Sequence, residues 1–160
     1  SWSSIDYFRN WKALHYFARH SFQSPTVLVS MDAKRKLNVH GINDSQRDLE
    51  AKLRIKYYDF SGNLLLQDTV LSMLTQNSAK LIYHCDPEQI MNTQKMDKLA
   101  TTIWVGLEIA DSLVAARTYQ VEKPAKLKLD KTEIGLDRSV EGSAVTLILK
   151  ATKFAKNVYL

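Results

Sequence analysis

At 160 residues the chain is long enough for one domain of ordinary size, or for a small domain with an appended piece. Apolar residues make up 45% and charged residues 24%, close to globular averages, and no apolar run approaches a membrane-spanning helix, so a soluble chain with no membrane partner is expected. The net charge of +5 is dispersed, with Lys34, Arg35 and Lys36 its densest group; it fits a solvated surface rather than the clustered stripe of a nucleic-acid partner.

The hydrophobic period changes once along the chain. Residues 9–22 predict a helix, because Trp11, Leu14, His15, Ala18 and Phe22 fall at i, i+3, i+4, i+7 spacing with no Gly or Pro among them, and Ser24-Pro25 stops it. Asp6, just ahead, is a candidate cap for that helix, with a hydrogen bond to a neighbouring loop as the alternative. Short strands follow: "TVLVS" at 26–30, a Lys/Arg turn, then "KLNVHGIN" at 36–43.

The clearest alternation begins at Leu49. Leu49, Ala51, Leu53, Ile55 and Tyr57 share one face, Glu50, Lys52, Arg54 and Lys56 the other, and Ser61-Gly62-Asn63 reads as the hairpin turn into "LLLQDTV". Further strands are expected in "AKLIYHCD" at 79–86, "TTIWVGLEIAD" at 101–111 and "LVAARTYQVE" at 113–122, with a loop and a helical turn over 87–100. Short strands at regular spacing predict a mainly β fold, an immunoglobulin-like β-sandwich preceded by one α-helix. Its core draws on Leu53, Ile55, Tyr57, Ile103, Val105, Leu107 and Ile109.

Lys123-Pro124 marks a boundary, and "AKLKLDKTEIGLD" and "SAVTLILKATKFAKNVYL" restart the strand pattern. The residues after it are too few to bury a second core unaided. They predict a partial second β-domain.

Candidate chemistry is sparse. His15 and His20 lie on the helix, His40 and His84 in strands, and no two form an i, i+4 metal-binding pair, so structural histidines are expected. The single Cys85 excludes an intramolecular disulfide framework and a multi-cysteine zinc site. His84 beside it points to the opposite face of a strand, which leaves Cys85 a buried inert thiol rather than a nucleophile. Glu50, Glu108, Asp111, Glu133 and Asp137 are scattered, with no spacing that nominates an acid and nucleophile pair. No phosphate loop, nucleophile elbow or cofactor motif is present, and no cofactor or metal is expected.

The opening stretch "SWSSIDYFRNWKALHYFARHSF" resembles the segment that closes the catalytic barrel in β-mannosidases of glycoside hydrolase family 2. Trp2-Ser3-Ser4, Tyr7, Trp11-Lys12, Leu14-His15-Tyr16-Phe17 and Phe22 fall in that family's pattern, whereas Arg9 stands where the family has Gly. Downstream, "KLNVHGIND" is similar to the first strand and turn of the family's sandwich domain. "ARTYQVEKPAKLKLDK" is similar to its last strand and linker, and "TLILKATKFAKNVYL" to the start of a terminal β-domain.

The resemblance implies three parts: the last loop and helix of a (β/α)₈ catalytic barrel at 1–23, the immunoglobulin-like sandwich at 24–122, and a linker with an incomplete terminal β-domain at 123–160. It further implies an accessory region of a retaining enzyme that removes terminal β-D-mannose. Its two catalytic glutamates, held about 5–5.5 Å apart, lie on barrel strands outside these residues. The β-mannoside partner would then be met through the barrel, and these residues alone would be inactive.

Trp2, on the loop after the last barrel strand, is the candidate substrate-binding residue, with packing against the barrel rim as the alternative. The implied location is periplasmic, secreted or lysosomal-like. An independent carbohydrate-binding or adhesion module is the competing function. The opening helix argues against it, since a barrel helix needs one apolar face for the barrel and another for the next domain. Exposed apolar residues at the two ends, Trp11, Tyr16 and Phe17, and Val145, Leu147 and Leu149, are expected to dock on the sandwich or to drive self-association.

Overall fold

The computed structural model describes residues 3–156 and Val158. Seven strands form two antiparallel sheets: β1 (Thr26–Met31), β2 (Leu37–Asn43), β3 (Leu49–Asp59), β4 (Leu64–Leu74), β5 (Ser78–Cys85), β6 (Thr101–Ile109) and β7 (Ser112–Tyr119). One sheet has the order β1-β2-β5 and the other β4-β3-β6-β7. This is an immunoglobulin-like sandwich in which the fourth strand pairs with the third instead of joining the first sheet.

Alternation decides which side chains meet between the sheets. From β3, Ala51, Leu53, Ile55 and Tyr57 point inward; they sit opposite Ile109, Leu107, Val105 and Ile103 of β6 in register. Val27, Leu37 and Val39 close the core from the other sheet. Six of the seven core residues expected from the pattern are buried, and Ile109 packs against them at the margin. Gly41 on β2 is a packing requirement, because a Cβ there would fall 2.5 Å from Leu74 Cδ2. Leu74 closes that end of the core, 1% exposed.

The residues between β5 and β6 hold more structure than expected. A second helix, α2 (Pro87–Thr93), starts at Asp86, whose side chain accepts from Gln89 N at 3.0 Å, with Pro87 at the first helical position. It buries Met91 against the core.

At the other end the first helix is shorter than its periodicity suggests: α1 runs Ala13–Ser21. Residues 5–11 instead form a tight turn closed by an Ile5–Trp11 bridge. Arg9 sits within it at φ 68°, in the left-handed region that glycine adopts without strain. Asp6 belongs to this turn, accepting from Asn10 N at 2.8 Å and Asn10 Nδ2 at 3.0 Å. It does not cap α1; Lys12 occupies that position without a side-chain cap.

Beyond β7, a short 3₁₀ turn (Pro124–Lys126) leads to a hairpin of β8 (Ile134–Glu141) and β9 (Ala144–Ala151), exposed on both faces. The chain then returns to the sandwich. Phe154 N donates to Phe60 O at 2.8 Å, and the two rings stack with centroids 4.8 Å apart.

Candidate functional site

Trp2 lies outside the described residues. The segment that follows it presents aromatic side chains to solvent: Tyr7 is 93% exposed, Phe8 79%, Phe17 60% and Phe22 88%. Between them Trp11 is held in place by its neighbours, with its ring 4.3 Å from His15 and 5.4 Å from Tyr16, and with Arg19 over its face at 5.9 Å. His15 Nδ1 lies 3.2 Å from Ser4 Oγ, which joins the helix to the loop before it. α1 buries none of its residues, so its apolar positions are not spent on the sandwich. Arg117 Nη2 ties it there by donating to the His20 carbonyl at 2.6 Å.

The remaining candidates are dispersed. His84 Nδ1 meets Asn38 Oδ1 at 2.6 Å on the outside of the three-stranded sheet, while Cys85 turns inward and lies 3.9 Å from the Tyr57 hydroxyl. Burial pushes the Cys85 thiol above its ordinary value of 9.0, the opposite of what a nucleophile requires. Among the described residues no group of three or more His, Cys, Asp or Glu is placed to hold a metal ion.

Three of the five candidate carboxylates are engaged by cations. Glu108 meets Arg54 at 2.6 Å, Asp111 meets Lys52 at 2.9 Å, and Asp137 meets Lys150 at 2.7 Å. At one pole of the sandwich Arg35 Nη2 reaches Glu88 at 2.7 Å and Glu122 at 3.4 Å, and Lys98 Nζ bridges the same two acids. Hydrogen bonding from Arg35 holds the Glu88 carboxyl below its ordinary value, and Lys52 does the same for Asp111. A general acid of glycoside hydrolysis needs a raised value.

One surface feature was not singled out from the sequence. Trp104 of β6 points away from the core, between the inward Ile103 and Val105, and its six-membered ring lies over Gly106. Lys56 of β3 stands 5.5 Å from the ring centroid. Trp104 also lines, with Tyr58, Thr102, Thr118 and the returning segment 151–154, a cleft of about 350 Å³. The signal was present in "TTIWVGLEI": an aromatic at an outward position of the alternation, two residues before a glycine.

The sandwich and the segments around it have known counterparts. Residues 35–126 match the family described as the mannosidase Ig/CBM-like domain. The chain belongs to that family. Over its full length the mannosidase Ig-like chain is 26% identical to the β-mannosidase of Bos taurus, of which it spans 19%. Part of it, 39% of the chain, is 34% identical to 7% of the β-mannosidase of Rattus norvegicus. Its fold is similar to that in the crystal structure of a β-D-mannosidase from Dictyoglomus thermophilum, with a TM-score of 0.79 at 21% identity, covering 96% of this chain and 18% of that one. The chain thus corresponds to about a fifth of the length of the bovine relative.

Proposed function

We propose that this mannosidase Ig-like chain is an accessory, supporting region of a retaining β-mannosidase that releases terminal non-reducing β-D-mannose, with both catalytic glutamates outside these residues. In this reading residues 1–23 complete a (β/α)₈ barrel, 24–122 form the sandwich that braces it, and 123–160 lead into a further β-domain. The reading is carried by one observation: α1 is amphipathic yet buries none of its residues on the sandwich, as a helix built to cover another body would be. The paired, acid-shifted carboxylates support it, since none has the environment of a catalytic acid. Substrate recognition would then fall to the barrel, with Trp2 on its rim.

Two measurements test this. The isolated chain, assayed with a chromogenic aryl β-mannoside, is expected to give no turnover above a buffer blank; turnover that survives repurification overturns the proposal. In a complete enzyme carrying this region, Phe17→Asp on α1 is expected to lower the melting temperature while KM stays unchanged. A raised KM with an unchanged melting temperature would assign the helix to substrate contact instead of support.

A further inference from the structure

We propose that Asn43 is a glycosylation acceptor that the native fold withdraws, so that an N-linked glycan on its side-chain amide and the closed sandwich exclude each other. The inference concerns the sandwich alone and is independent of the barrel reading.

Of the chain's asparagines, only Asn43 is followed by a residue other than proline and then by Ser or Thr, in Asn43-Asp44-Ser45. That spacing is the acceptor pattern for N-glycosylation and ordinarily marks an exposed loop. The transfer joins C1 of an oligosaccharide to the asparagine Nδ2. The bond from C1 to a lipid pyrophosphate breaks, the lipid pyrophosphate leaves, and Nδ2 gives up one of its two protons.

The fold leaves no room for that product. Asn43 ends β2 at 0% exposure, and its Nδ2 donates to the carbonyls of Arg47 at 2.8 Å, Leu74 at 3.0 Å and Thr75 at 3.2 Å. A glycosylated amide keeps a single proton and carries a sugar ring in place of the other, on a nitrogen walled by carbonyls that would lose their donor. Ser45, whose hydroxyl the acceptor pattern requires, is engaged in the same network, with Oγ 2.7 Å from Asn43 Oδ1 and 3.1 Å from Arg47 O. A sugar between Asn43 and Leu74 would hold apart the ends of β2 and β4, which belong to different sheets. Before folding the same three residues are open, because Leu74 and Thr75 lie 31 and 32 residues further along and are brought to the amide only by tertiary folding. A glycan at Asn43 therefore marks a chain whose sandwich has not closed.

The test translates the full 160-residue chain behind a cleavable secretory leader in microsomes, which hold the transferase and its lipid-linked donor, and applies a short protease pulse. The same chain made in bacteria, without glycan, is the reference and is expected to resist the pulse. In microsomes, any form retarded on a gel by its glycan is expected to be digested at least about tenfold faster than the reference, since cleavage follows the open population, and the unretarded form to match it. Leu53→Asp, which sets a charge in the core and keeps the sandwich open, should carry the glycan, and adding Asn43→Gln should remove it. A retarded form that resists the pulse as the reference does overturns the proposal. So does the absence of a retarded form even in Leu53→Asp, which would mean that Asn43 is no acceptor, and so does retardation that survives Asn43→Gln. A reference that is itself readily digested overturns it as well, since the sandwich then does not close over Asn43.

Discussion

Asn43 donates its side-chain amide to the Leu74 carbonyl at 3.0 Å and so joins the end of β2 to the end of β4, which belong to different sheets. The same amide reaches the carbonyls of Arg47 at 2.8 Å and Thr75 at 3.2 Å, while its oxygen accepts from Ser45 N and Ser45 Oγ. Asn43 is 0% exposed, so no water stands ready to replace these bonds. Asn43→Ala is expected to cost about 3 kcal/mol, the penalty of stranding buried polar groups. Asn43→Asp should cost more, because it sets a carboxylate against three carbonyls. A urea midpoint that falls with an unchanged slope checks both.

Arg9 has a left-handed backbone, at φ 68°. Such a conformation costs an L-residue about 1–2 kcal/mol, against roughly 0.5–1 kcal/mol of extra chain entropy for glycine. Arg9→Gly should therefore firm the turn. Amide exchange at Asn10 and Lys12, whose bonds close it, is expected to slow several-fold; faster exchange would mean that Arg9 makes a contact worth more than the strain.

Acid should loosen the pole where Arg35 sits. Glu88 has its folded value held below the ordinary 4.5, and Asp86, bonded to Lys36, lies below the ordinary 3.8. A depressed folded value contributes stability above the unfolded value and loses it as pH falls through the folded one. The melting temperature is expected to stay level above the ordinary glutamate value and to drop below it. Arg35→Ala should flatten that drop, with a small loss at neutral pH because these are partly solvated pairs.

Cys85 should be sluggish. Burial raises its thiol, so little thiolate forms at pH 8, and Tyr57 stands against the sulfur. Reaction with a disulfide reagent is expected to run at least about tenfold slower than for a free thiol, and to accelerate in urea as the strand opens.

Much of this fold is readable from residue order, and the exceptions have identifiable causes. Strands β3 and β6 announce themselves because both bury one face completely, which forces a clean alternation through Leu53, Ile55 and Tyr57. β4 is an edge strand with Leu71 74% and Met73 43% exposed, so its second half carries no such pattern and was not assigned. The polar residues of α2 announce no more than a helical turn within a loop, although Asp86-Pro87-Glu88 is a readable start signal for the helix. The apolar spacing over 9–22 runs past the start of α1, because a left-handed residue that is not glycine leaves no mark of the 5–11 turn in the sequence. Trp104 was read as part of a strand and nothing more, since a one-dimensional pattern does not tell a core aromatic from one laid on the outer face until its register with Lys56 and Gly106 is fixed.

The Arg35 cluster also has a kinetic consequence. Its guanidinium closes chain loops of 53 residues to Glu88 and 87 to Glu122, far longer than the hairpins that pair β1 with β2 or β6 with β7. Contacts of such sequence separation form after the local pairings that bring them together. Arg35 is therefore expected to engage late in folding. Weakening it is expected to leave the refolding rate almost unchanged and to raise the unfolding rate only slightly, in step with the small stability that these partly solvated pairs carry.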